Sequence, residues 1–156
     1  MEISSIDQEI TDFDWYAVDS DGYLVQFASS GGTLPRSVAL SSEALAQLHH
    51  YFLTLSTTET TTAHFNPDLS LVVPRLSNIY AYNLYIHSSA NFAKSGLFAF
   101  NKTDLAHRDN YYHLVAYPAK PLLLTELPTA IRALISRTRL PFSIEGITTL
   151  NANNIQ

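Results

Sequence analysis

FDWYAVDSDGYLVQFA, residues 13–28, contains the clearest structural signal in the first part of this chain. Two runs rich in aromatic and β-branched residues, at 13–18 and 23–28, flank the tetrapeptide Asp19-Ser20-Asp21-Gly22. Runs of this composition form strands, and an Asp-Gly pair between them is typical of a tight turn. The sequence therefore predicts an antiparallel β-hairpin.

Two registers of this hairpin are compatible with the sequence. A two-residue turn at Asp21 and Gly22 would pair Tyr16 with Phe27. A three-residue loop at 20–22, with Gly22 in the left-handed region, would instead leave Asp14 on one face and place four apolar side chains on the other. Those four are Trp15, Ala17, Val25 and Phe27. We prefer this second register because it gathers the large apolar residues into one core patch, made of Phe13, Trp15, Tyr23, Val25 and Phe27.

Two main helices are predicted further along the chain. Ser41 or Ser42, followed by Glu43, is typical of a helix start, and apolar residues at helical spacing continue to about Leu55. The second helix begins near Thr125, which can cap it, with Pro128 in the first turn, where no N–H is required. Its apolar stripe consists of Leu127, Ile131, Leu134 and Ile135, and Pro141 prevents its extension.

The remaining segments read mostly as strands. These are predicted at 71–73, 79–87, 97–100 and 111–117, with a last strand within 144–150. In the segment 79–87, strand alternation would put Tyr80, Tyr82, Leu84 and Ile86 on one face. Residues 56–62 read as a polar surface loop, although their β-branched threonines could also let part of the segment pair as an edge strand. Residues 101–110 read as a long hairpin connection.

The predicted fold is α+β. We expect a single globular domain over residues 1–156, ending in a polar tail at about 151–156. Its sheet is expected to be mostly antiparallel, with the N-terminal hairpin at one side and the two main helices packed on it.

Composition limits the class of protein. A chain of 156 residues with 46% hydrophobic and 15% charged residues is typical of one folded domain. Without cysteine, disulfides and thiolate zinc ligands are excluded. No apolar run approaches the roughly 20 residues that span a bilayer. Residues 1–12 hold four acids and no Lys or Arg, unlike a secretory signal. We therefore expect a cytoplasmic protein with no membrane partner.

Charge is distributed unevenly along the chain. The net charge of −5 argues against a nucleic-acid partner. Seven acidic residues precede Arg36, the first basic residue, whereas basic residues outnumber acidic ones in the last third. Either the two parts neutralise each other in the fold, or the acidic surface attracts a basic protein partner by long-range steering. The second interpretation makes four residues candidate partner-binding sites: Asp12, Asp14, Asp19 and Asp21.

No motif points to catalysis or to a metal. Asp19-Ser20-Asp21-Gly22 is similar to the start of a calcium loop, but strand residues follow where further oxygen ligands are required. His49 and His50 diverge by about 100° on a helix, and the other histidines have no short ligand spacing. Neither a phosphate loop nor a serine nucleophile elbow is present. We predict no catalytic residues, cofactor or metal, and a protein that is not an enzyme.

Three segments resemble a family of uncharacterised small bacterial proteins: DWYAVDSDGYLVQFASSGG at 14–32, LPRSV at 34–38 and YYHLVAYPAKPLLLTELPTAIRALISRTRLP at 111–141. Families of this size are similar to the immunity proteins of bacterial toxin systems, single domains that neutralise a toxin by binding it. The resemblance implies a non-catalytic protein-binding module and carries over no site residues.

The alternative function is a small-ligand binder or weak enzyme. Its pocket would lie between the sheet and one helix and would use a histidine and tyrosine hydroxyls. A flat, acidic, aromatic surface would favour the protein-binding module, and a deep pocket with convergent polar groups would favour this alternative.

Overall fold

The computed structural model describes residues 1–55, 62–106 and 109–155. These residues form an α+β fold with a six-stranded sheet. The strands are β1 Asp14–Val18, β2 Leu24–Ala28, β3 Ala63–Phe65, β4 Phe98–Lys102, β5 Tyr111–Pro118 and β6 Thr149–Asn151. The α-helices are α1 Ser5–Ile10, α2 Arg36–Ala39, α3 Ser42–Leu55, α4 Leu69–Val72, α5 Ile79–Lys94 and α6 Thr129–Ile135. Short 3-10 helices occupy Pro74–Ser77, Leu124–Glu126 and Ala152–Asn154.

The sheet is mixed, with the strand order β1-β2-β4-β5-β3. β2 and β4 are parallel, whereas the other paired strands of the described chain are antiparallel. β3 and β6 pair with opposite ends of β5, along the edge that does not face β4. The predicted α+β class is therefore confirmed, but the structure adds a parallel pair and has more helices than the two main ones expected.

The N-terminal hairpin has the preferred register. Trp15 lies opposite Phe27, and Ala17 lies opposite Val25. The backbone N–H of Asp19 donates to the carbonyl of Tyr23 at 2.9 Å, which leaves a three-residue loop whose Gly22 has φ = 89°. Trp15 is fully buried and stacks on Phe27 with ring centroids 4.0 Å apart. The sequence prediction for this hairpin is confirmed.

The predicted strands at 71–73 and 79–87 are wrong, because both segments are helical, in α4 and α5. The Asn78 side chain accepts hydrogen bonds from the backbone N–H groups of Tyr80 and Ala81 and so caps α5. Tyr80 and Leu84 are exposed, whereas the predicted alternation placed them with Tyr82 and Ile86 on one face. Tyr82 and Ile86 instead pack against a small cluster of Leu69, Leu76 and Val115.

The two predicted helices differ in outcome. α3 is confirmed, with the Ser41 hydroxyl accepting from the backbone N–H of Ala44 at 3.1 Å. Its apolar residues Leu45, Leu48 and Phe52 are buried. α6 begins at Thr129 rather than near Thr125, because residues 124–126 form a separate 3-10 helix.

The other predicted segments are partly matched. The strands predicted at 97–100 and 111–117 correspond to β4 and β5. Residues 103–110 connect these strands, and within this connection 107–108 lie outside the described residues. The last strand is shorter than expected, and the expected tail contains buried Ala152 and Ile155. The predicted loop at 56–62 lies, except for Thr62, outside the described residues. None of the helices in the described ranges has the length and apolar character needed to cross a membrane.

Candidate functional site

The four candidate aspartates of the hairpin do not form one patch. Asp14 pairs with Ala28 at the open end, and Asp12 lies beside it, where its carboxylate accepts from the backbone N–H of Ser30 at 2.7 Å. Asp19 and Asp21 lie at the turn. The five residues of β1 separate the two pairs by about 16 Å. A partner could therefore contact either end of the hairpin through carboxylates, but not both through a small surface.

Asp19 is an internal structural residue. It is 3% exposed, and one carboxylate oxygen accepts from the backbone N–H groups of Asp21 at 2.9 Å and Tyr23 at 2.7 Å. The other oxygen accepts from the backbone N–H of Ile144 at 2.8 Å. The first two bonds close the turn, and the third holds it against the segment that follows α6. Its oxygens are directed to internal donors, so Asp19 does not join an outward-facing site.

A polar cluster occupies the open end of the hairpin. Asp14 and Tyr16 share the face of β1 that packs under α3, because alternate residues of a strand point to the same side. From α3, the Nδ1 atom of His49 lies 2.9 Å from the Tyr16 hydroxyl and 3.8 Å from a carboxylate oxygen of Asp14. Gln26 of β2 donates to the other Asp14 oxygen at 2.8 Å. Three elements therefore converge on Asp14.

The cluster has acceptors without matching donors. Within the described residues, His49 is the one basic side chain within 4.0 Å of the Asp14 carboxylate. The buried Oε1 atom of Gln26 accepts no hydrogen bond from the described residues. Burial raises the pKa of Asp14 above its usual value, and the nearby His49 opposes this shift. Because an ionised carboxylate with few donors is costly to bury, a cation placed beside Asp14 would be stabilising.

Two surface clefts flank Asp14 and His49, and we call them together the hairpin–α3 groove. The first, of about 250 Å³, is lined by Asp12, Asp14, Ser42 and His49, with apolar walls from Ile3, Phe13, Leu45 and Ala46. The second, of about 160 Å³, is lined by Asp14, His49, Phe52, Leu53, Ser88, Asn91 and Phe92. An acidic mouth beside an apolar wall matches a lysine or arginine side chain, which has an apolar stem and a cationic head.

A second polar cluster lies under α5. His113 of β5 is 1% exposed, and its Nε2 atom lies 2.7 Å from the Tyr85 hydroxyl. Its Nδ1 atom lies 2.8 Å from the Thr103 hydroxyl. Burial lowers the pKa of His113 to about 4, so the ring is neutral near pH 7. His113 is therefore a hydrogen-bonded histidine of the core.

The buried His113 should make stability depend on pH. Its pKa is about 4 in the folded state, against an ordinary value of 6.5, so the unfolded chain binds more protons between these values. The free energy of unfolding should therefore fall as pH is lowered through this window, by up to about 1.4 kcal/mol per pH unit. Urea denaturation between pH 7 and 4, with His113→Gln as the control, would measure it. Equal slopes for the two proteins would contradict the prediction.

Sequence reasoning identified Asp12 and Asp14 but missed the residues that surround them. His49 is 35 positions beyond Asp14, so no local pattern connects them. Among the described residues, no group of three or more His, Asp or Glu side chains is arranged to hold a metal ion.

The comparisons with known proteins add no assignment. No protein-family model matches the chain, and neither a curated protein nor a solved structure shows significant similarity to it. The resemblance to immunity proteins stays a prediction, and the function is argued from the geometry of the site.

Proposed function

We propose that this protein is a non-catalytic protein-binding module that receives a basic side chain of its partner in the hairpin–α3 groove. The observation that carries the proposal is the half-buried Asp14 carboxylate, which has 30% of its side chain exposed. It faces the groove with His49 as the one basic side chain within 4.0 Å in the described chain. A lysine or arginine head would place hydrogen-bond donors and a positive charge beside this carboxylate.

Charge supports a basic partner. Asp12 is exposed at the same mouth as Asp14, so two carboxylates of the groove act on an approaching cation. The net charge of −5 adds a long-range attraction for a basic protein and repels nucleic acid. The resemblance to immunity proteins supports a toxin as this partner, neutralised when the module covers its basic surface.

The surroundings of the groove support a protein as the occupant. α5 carries no charged residue before Lys94, and its Ser88 and Asn91 line the second cleft. Leu84 on the same helix is 81% exposed, and Leu53 at the edge of that cleft is 50% exposed. Protein interfaces combine such uncharged, partly apolar areas with charged residues at their rim. We propose that the partner covers this face of α3 and α5.

Removing the Asp14 charge should weaken partner binding by at least about tenfold, because a buried interfacial charge pair would lose one member. Asp14→Asn is the appropriate change, since the amide retains an oxygen that can accept from Gln26. Co-purification from the native host provides the partner, and calorimetry against the purified partner gives the affinity. Asp12→Asn should mainly slow association and reduce its dependence on salt.

Asp21→Asn is the matched control. It removes the same charge from an exposed position at the opposite end of the hairpin and should leave the affinity within about twofold. If Asp14→Asn and Asp21→Asn weaken binding equally, net charge rather than the groove determines the affinity, and the proposal is refuted. An unchanged affinity in both variants would also refute it.

A further inference from the structure

A different cleft opens between β4 and the segment from α4 to α5. Its volume is about 240 Å³. The polar residues that line it are Ser30, Arg75, Tyr85, Asn101, Lys102 and Thr103, and apolar contacts come from Val72, Val73, Pro74 and Leu105. This cleft shares no lining residue with the hairpin–α3 groove. Like the pocket expected for a small-ligand binder, it lies between the sheet and a helix.

Tyr85, His113 and Thr103 form a hydrogen-bonded row behind this cleft. The Tyr85 hydroxyl lies 2.7 Å from Nε2 of His113, and Nδ1 of the same ring lies 2.8 Å from the Thr103 hydroxyl. In the tautomer with its proton on Nδ1, the ring accepts from Tyr85 and donates to Thr103, and the Thr103 hydroxyl proton is then left for a group in the cleft. A ligand that accepts from Thr103 selects this tautomer.

Arg75 supplies positive charge at the same place. Its guanidinium lies 5.5 Å from the centroid of the Tyr85 ring, and the residue is exposed. In the described part of the chain, no carboxylate lies within 4.0 Å of Arg75. A guanidinium presents N–H donors in a planar fork that matches the oxygens of a carboxylate or phosphate. The polar side of the cleft therefore offers donors and a positive charge.

We propose that this cleft binds a small organic oxyanion with an apolar substituent, such as a short-chain or aromatic carboxylate. Arg75 pairs with the anionic oxygens, and the Thr103 hydroxyl donates to one of them. The apolar substituent packs against Val73, Pro74 and Leu105. A volume of about 240 Å³ is below the range of about 300–1,000 Å³ for drug-sized ligands, which restricts the occupant to a small molecule.

NMR titration of the ¹⁵N-labelled protein tests this proposal with benzoate, isobutyrate, inorganic phosphate and the neutral isobutyramide. Benzoate or isobutyrate should produce saturable shifts of the Arg75, Tyr85 and Thr103 amide signals. Arg75→Gln and Thr103→Val should each weaken this binding by about tenfold or more, because hydrogen bonds to charged groups are strong. Arg137→Gln removes an exposed arginine that does not line the cleft, and should leave the binding unchanged.

Three outcomes would overturn the proposal. Equal binding of isobutyramide would show that the charge of the ligand is not recognised. Saturable shifts with phosphate, but with neither benzoate nor isobutyrate, would exclude a role of the apolar wall in binding. Absence of saturable shifts with all four probes would exclude the site. Urea denaturation of each variant separates lost binding from lost folding, and none of these outcomes affects the test at Asp14.

Discussion

Replacing Gly96 with alanine should lower the free energy of unfolding by about 4 kcal/mol, from backbone strain and overpacking together. Gly96 has φ = 102°, a backbone conformation that residues with a side chain rarely adopt. A Cβ atom there would lie 2.6 Å from the Cβ of Leu122 and 2.7 Å from its backbone nitrogen. That nitrogen donates to the Gly96 carbonyl at 3.0 Å, so the two segments cannot separate without losing a hydrogen bond.

Gly146→Ala is the control for Gly96→Ala. Gly146 also has a positive φ, of 77°, but no heavy atom lies within 4 Å of the position of an added Cβ. This variant should lose only the cost of backbone strain, about 1 kcal/mol. Urea denaturation followed by circular dichroism gives both values. If the two variants lose the same stability, the close approach of Leu122 is not what requires glycine at position 96.

Asp19→Ala should lower the free energy of unfolding by about 3–4 kcal/mol, because hydrogen bonds from three backbone N–H groups to the two carboxylate oxygens are lost. Leaving the N–H of Ile144 without an acceptor costs the most of the three, since Ile144 is fully buried and water cannot replace the carboxylate there. The donors at Asp21 and Tyr23 lie nearer the surface, so water recovers part of their loss. Chemical denaturation of the variant measures the effect.

Asp21→Ala is the control within the same loop. Asp21 is exposed, and its removal should change stability by less than about 0.5 kcal/mol. A loss below about 1 kcal/mol in Asp19→Ala would contradict the structural role that we assign to its carboxylate. The comparison also bears on partner assays, in which a weak signal from an Asp19 variant would reflect a damaged hairpin.

Local chemistry made the hairpin and α3 predictable. The Asp-Gly turn, the alternation of apolar residues and the serine before Glu43 each determine structure within a few positions. α5 was not predictable in this way. Its first nine residues alternate in a strand-like manner and include no Asp, Glu, Lys or Arg. The sequence therefore fits the apolar periodicity of a strand as well as that of a helix. The Asn78 cap and packing on β5 favour the helix, and only the fold reveals the packing.

A candidate site could be predicted only where residues close together in the sequence form it. Asp12 and Asp14 are close along the chain, and their acidic character was visible. Asp19 differs from them because its third donor comes from Ile144, which is 125 positions away. The cleft beside Arg75 was not located because Tyr85 was assigned to a strand, whereas the structure places it on α5, with its hydroxyl 2.7 Å from Nε2 of His113.

The parallel pair of β2 and β4 has a consequence for how the chain reaches its native state. The hairpin of β1 and β2 and the pair of β4 and β5 each form from nearby residues, whereas their junction requires residues 29–97 to close into a loop. Closing a loop of this length costs conformational entropy before the contacts between the two strands can form. Folding rates therefore fall as such non-local pairings become more frequent. The pairing of β2 with β4 is therefore the step expected to limit refolding.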